Sequence, residues 1–118
     1  MEPLTDELKE QLLANGRQQA AVRATCAEID FYPVVKLFTP DAGATWLLTE
    51  IDPDERDLAF GLCDLGLGFP ELGSVSLSEL AALRGRLGLP VERDLHFVAK
   101  KPLSAYAEEA SKAGHIRA

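Results

Sequence analysis

The chain has 118 residues, 47% of them hydrophobic, and a formal net charge of −7. That length fits one domain, and that apolar share fills a core without disulfide or metal staples. The acidic balance argues against ordinary nucleic-acid binding, which needs a basic footprint to displace phosphate counterions. No apolar run reaches the about 18 residues that span a bilayer.

Two cysteines, Cys26 and Cys63, are too few for a disulfide framework. They read as buried or idle thiols of a reduced, cytoplasmic protein. The start, Met-Glu-Pro-Leu-Thr-Asp-Glu, lacks the basic and apolar regions of a signal peptide. The charge is unevenly spread. Residues 41–80 hold 9 acids against the single base Arg56, giving −8, while residues 81–118 hold 4 acids and 7 bases, giving +3.

Thr5-Asp-Glu-Leu opens a helix: Thr5 caps it, and Asp6 and Glu7 suit its positive end. Leu4, Leu8 and Leu12 form one apolar stripe, and Asn15-Gly16 is a stop signal. A second helical piece, separate or a bent continuation, is expected over Arg17 to Thr25. Pro33 ends any helix before it. Val34–Phe38, Thr45–Ile51, Leu58 or Ala59 to Leu65, and Leu72–Val75 then read as four short strands, each closed by Pro, Gly or Asp. Short links between them favour antiparallel neighbours.

Ser76-Leu-Ser-Glu79 is a capping box, and Leu77, Leu80, Leu83 and Leu87 form the apolar face of the helix it opens. Asp94–Val98 reads as a fifth strand that carries His96. A last helix places Leu103, Tyr106, Ala110 and Ala113 at helical spacing and ends at Gly114, with a frayed tail beyond. The whole is one α+β domain over 1–118: a helical segment at 1–26, a strand meander at 34–76, and helix–strand–helix at 76–113. The expected architecture is an antiparallel meander sheet of about four to five strands with helices packed on one face.

Several phrases carry a resemblance. Pro-Val-Val-Lys-Leu-Phe-Thr-Pro-Asp (33–41), Ala-Thr-Trp-Leu-Leu-Thr-Glu-Ile-Asp-Pro (44–53), Phe-Gly-Leu-Cys-Asp-Leu-Gly (60–66) and Gly-Phe-Pro-Glu-Leu-Gly (68–73) resemble a bacterial family known as domain of unknown function 2958. Val75-Ser-Leu-Ser-Glu-Leu, Leu89-Pro-Val-Glu-Arg-Asp-Leu-His-Phe and Lys101-Pro-Leu-Ser-Ala-Tyr fit it too, so the likeness covers nearly the whole chain. Asp54-Glu-Arg-Asp57 departs from the family's usual run of acids and prolines. The resemblance implies no activity and no catalytic residues. By association it implies accessory cargo of plasmids and integrative elements, near anti-restriction genes.

Two arrangements of the acids carry functional readings. Alternation sets Trp46, Leu48, Glu50 and Asp52 on one side of the second strand, and Leu47, Thr49 and Ile51 on the other. One candidate is therefore a carboxylate pocket of Glu50 and Asp64, with Lys36 as counter-ion and Trp46 as an apolar wall, in a small enzyme or ligand-binding domain. The other is an open acidic surface of Asp52, Asp54, Glu55, Asp57 and Glu71 in a non-catalytic interaction protein. Its carboxylates would imitate DNA phosphates toward a basic DNA-processing protein. Asp52-x-Asp54 is no calcium loop, because Pro53 intrudes and Asp57 and Cys63 stand where Gly and Glu belong. Gly66, Gly68 and Gly73 lack the Lys-Ser or Lys-Thr of a phosphate loop. No metal, cofactor, membrane or direct nucleic-acid partner is expected. Self-assembly through a sheet edge is a further option.

Overall fold

A computed structural model describes residues 3–23, 25 and 27–118. Cys26, and with it one of the two expected idle thiols, lies outside the described residues. So do the first two residues and Ala24.

The elements follow the order α1 (Asp6–Arg23), β1 (Val35–Phe38), β2 (Thr45–Ile51), β3 (Leu58–Asp64), β4 (Glu71–Ser76), α2 (Leu77–Ala82), β5 (Glu92–Arg93) and α3 (Leu103–Ala113). The strands form one antiparallel sheet in the order β4-β3-β2-β1-β5. The first four strands are the expected meander. The chain then crosses by way of α2 to the far edge, where β5 pairs with β1. The protein is α+β, as the order of elements predicts.

The sheet buries both faces. Leu12, Leu13, Val35, Leu37, Trp46, Leu48 and Ile51 join one core cluster beneath α1 and α2. Leu47, Leu62, Leu103, Tyr106 and Ala110 form a second cluster beneath α3. Leu47 stands between Trp46 and Leu48 in β2, so the two clusters lie on opposite faces. Helices on one face only is thus corrected for α3. A sheet whose central strand is buried at six of seven positions needs a cover on each side.

The expected stop at Asn15-Gly16 is also corrected, since α1 runs through it to Arg23. Gly16 is buried because α1 crosses the end of β2 there. A Cβ at that position would lie 1.7 Å from the Ile51 carbonyl oxygen. Asn15 Nδ2 donates to the Thr49 carbonyl at 2.9 Å beside it. The two residues that read as a terminator are the contact between helix and sheet.

Three further boundaries move. Ser76 caps α2 as expected, its Oγ accepting from the Glu79 amide at 3.2 Å, but the helix ends after Ala82. Beyond it Asp41 Oδ2 accepts the Leu87 and Leu89 amides and holds that segment as a turn, leaving Leu87 exposed. The fifth strand is Glu92–Arg93 and not Asp94–Val98. Asp94 donates its amide to the Lys36 carbonyl, then accepts the His96 amide on Oδ1, which turns the chain out of the sheet and leaves His96 exposed. The tail is docked: the Ile116 amide donates to Asp64 Oδ2 at 3.0 Å, and Ile116 packs against the second cluster.

Candidate functional site

The register of β2 and β3 decides which acids meet. Thr45 to Leu48 pair with Asp64 to Gly61, but Glu50 pairs with Phe60 and Ile51 with Ala59. One residue too many stands in β2 between Leu48 and Glu50, a β-bulge, which flips the alternation beyond it. Ile51 therefore joins Trp46 and Leu48 in the α1 cluster, and Glu50 moves to the α3 face beside Phe60. Strict alternation would set Trp46 and Glu50 on one side; the bulge separates them.

The four residues expected in one pocket do not converge. Trp46 is 2% exposed and sits in the α1 core. Asp64 is 3% exposed, and its two oxygens accept the Gly66 and Ile116 amides, so it knots the end of β3 to the tail. Lys36 pairs with Asp94 at 3.3 Å and also donates to the Ala118 carbonyl. Glu50 stands opposite Phe60, four residues along β3 from Asp64, or about 13 Å at the usual strand rise.

The acids expected on an open surface are divided too. Asp52 Oδ1 accepts the Asp54 amide at 2.8 Å and orders its own loop. Asp57 accepts the Ser76 and Ser78 hydroxyls and the Ser78 amide, fastening that loop to the start of α2. These bonds, the Ser76 hydroxyl first, hold its carboxyl below the usual aspartate range. Asp54 and Glu55 are exposed before β3 begins, whereas Glu71 pairs with Cys63 near its far end.

Two features remain with chemistry to offer. The first is a cleft of about 380 Å³ on the α3 face, where the end of α1 meets β2 and the start of α3. Glu50 and Thr49 lie in it, with Gln19 of α1 and the apolar side chains of Phe60 and Leu103. Glu50 is 7% exposed. Its Oε1 accepts from Gln19 Nε2 at 3.4 Å and from Thr49 Oγ1 at 3.2 Å. Burial pushes its carboxyl above the usual glutamate value, more than those two bonds and the nearby Arg23 charge offset. The Gln19 side-chain amide also exchanges a pair of hydrogen bonds with the Ile29 backbone and so pins the connector to α1.

The second feature is the β3–β4 hairpin. Leu65, Leu67, Phe69 and Leu72 are all more than half exposed, Phe69 at 79%. They flank β4, which is an edge of the sheet and is largely open to solvent. Gly66 and Gly68 take positive φ and turn the chain there. Sequence reasoning treated this loop only as a turn between strands. Leu65, Leu67 and Phe69 in a glycine-punctuated loop, followed by Leu72 within β4, are the signal that it is more. Gln19 was equally legible, since it continues the line of Leu12 and Gly16 around α1 at helical spacing.

Among the described residues no helix is long and apolar enough to cross a membrane. Residues 3–117 match the family described as Protein of unknown function (DUF2958). No curated protein and no solved structure matches the chain.

Proposed function

We propose that this chain, which belongs to the DUF2958 family of proteins of unknown function, is a protein-binding module that takes a basic, extended partner segment along β4. The observation that carries this reading is the cluster of Leu65, Leu67, Phe69 and Leu72, exposed beside an unpaired strand edge. Natural edges are blunted by Lys, Pro or a bulge. β4 has no Lys or Pro, and its ladder to β3 runs without a register shift. An edge of this kind supplies main-chain hydrogen bonds to an added strand, and the apolar side chains supply pockets and buried area.

Charge favours a basic partner over a second copy of the chain. Residues 65–76 hold one acid, Glu71, and no base, and the surrounding residues 41–80 carry −8, so the field around this edge draws a basic segment. Imitation of DNA phosphates asks for carboxylates on one face. Asp54 and Glu55 stand away from Glu71 along β3, so the apolar edge carries the contact and the acids steer it. A basic DNA-processing protein of the bacterial cytoplasm, the setting that the family resemblance implies, has the required chemistry.

The test is anisotropy of a labelled extended peptide of alternating Lys and Val, against a Glu-Val control. The Lys-Val peptide binds and the control does not. Phe69→Glu weakens binding by about tenfold or more at unchanged Tm, because Phe69 is a surface residue. Equal binding of both peptides, or full affinity in Phe69→Glu, overturns the proposal.

A further inference from the structure

The Glu50 cleft shares Leu72 with that edge but none of Leu65, Leu67 and Phe69, and it has an uncompensated charge at its base. Glu50 Oε1 is held by two neutral donors, whereas Oε2 takes no hydrogen bond from the described residues. No cationic side chain of the described residues stands within ion-pair distance of it. Arg23 also lines the cleft and lowers the Glu50 pKa from beyond ion-pair distance, and Glu28 raises it. A carboxylate more than nine-tenths buried without a counter-ion is costly, and folds keep such groups mainly where they are used.

We propose that this cleft binds an organic cation, a primary ammonium or guanidinium group carried on a short apolar stem. The charged head meets Glu50 Oε2 and the Thr49 hydroxyl at the base. The stem lies against Phe60 and Leu103, and the ring of Phe60 adds a face that cations favour. Glu28 at the mouth adds a second negative charge. Asp30, also at the mouth, is already engaged: it accepts the Ser104 amide and hydroxyl and caps the start of α3. The lining sets Glu28, Asp30 and Glu50 against the single base Arg23, so an anion would meet a net negative cleft. A metal ion would lack ligands, since among the described residues no three His, Cys, Asp or Glu side chains are grouped to hold one. The volume, about 380 Å³, is in the range of small-ligand sites.

The head group has two sources, a free small molecule or a Lys or Arg side chain of another protein. The experiment separates them. Amide NMR follows titration with butylguanidinium, butylammonium, neutral butanol, and a short peptide with one Arg and blocked ends. The cations shift the amides of Gln19, Thr49, Glu50 and Phe60, and butanol does not. Glu50→Gln, which keeps the shape, weakens cation binding by about tenfold or more. Glu28→Gln, a surface change with no bearing on folding, weakens it severalfold. Affinity falls as pH drops through the Glu50 pKa, since the cation needs the ionised carboxylate. Tighter binding of the peptide than of butylguanidinium assigns the site to a protein side chain, and the reverse order assigns it to a free cation. Binding of butanol as tight as that of the cations, unchanged affinity in Glu50→Gln, or no shifts in these residues overturns the proposal. Since Phe69 is not part of the cleft, such a failure leaves the β4 reading standing.

Discussion

Glu50 is the residue whose chemistry the fold disturbs most visibly. Burial raises its pKa above 4.5, the ordinary value. At a pH between that value and the raised one, the folded state holds a proton that the unfolded state has released. This contribution is therefore present below the unfolded pKa and lost as pH rises through the folded pKa. Glu50→Gln removes the buried charge and keeps both hydrogen-bonding positions. Its Tm is expected to equal or exceed that of the parent at neutral pH, with the gap opening as pH rises through this window. Calorimetry across pH checks it, and a Tm well below the parent at neutral pH contradicts it. Cys63 shows the same physics: burial pushes its thiol up to about 11, and its Sγ donates weakly to the Gly73 carbonyl at 3.9 Å. In a Cys26→Ser background, Cys63 is expected to resist alkylation at neutral pH until the protein unfolds.

At the scale of elements, two contacts set the frame around the cleft. Gly16→Ala would gain about 1 kcal/mol of helix propensity, but its Cβ would stand 1.7 Å from the Ile51 carbonyl oxygen. Backbone cannot give way as a flexible side chain does, so the clash wins. Net destabilisation of about 1–3 kcal/mol is expected by urea denaturation, and a gain in stability would show that α1 does not press on β2. The short helix α2 depends on Ser76, whose Oγ accepts the Glu79 amide and donates to Asp57. Ser76→Ala is expected to cost about 0.5–2 kcal/mol. Asp57 acts with the opposite pH sign to Glu50. Its depressed pKa gives a stabilisation that is present above 3.8 and lost as pH falls through the folded value. Local signals made these elements legible, because the alternation of Thr45–Ile51, the capping box at Ser76 and the stop at Gly114 act within a few residues. Gly16 misled because its role is set by Ile51, far along the chain, and the same glycine suits either a helix end or a close crossing.

For the molecule as a whole, the sequence order held less. Short links make β1 to β4 a meander, but nothing local says that the chain crosses afterwards to the free side of β1. Nor does helical spacing in α3 say which face of the sheet it covers. The carboxylate pocket failed to assemble for two physical reasons: a one-residue bulge in β2 sends Glu50 to the face opposite Trp46, and the β2–β3 register sets it four residues along β3 from Asp64. What the sequence did expose is the hairpin at Leu65–Leu72, apolar at a solvent-facing turn next to an acidic half of the chain. The fold leaves that hairpin uncovered and its edge strand unpaired, while the remaining large apolar side chains of the sheet are buried or half-buried. The most direct measurement is amide NMR mapping of the Lys-Val peptide on the intact chain. Shifts confined to residues 65–76 and abolished by Phe69→Glu are the expected result; shifts centred on α1, α2 or the Glu50 cleft, with 65–76 unmoved, would contradict the account.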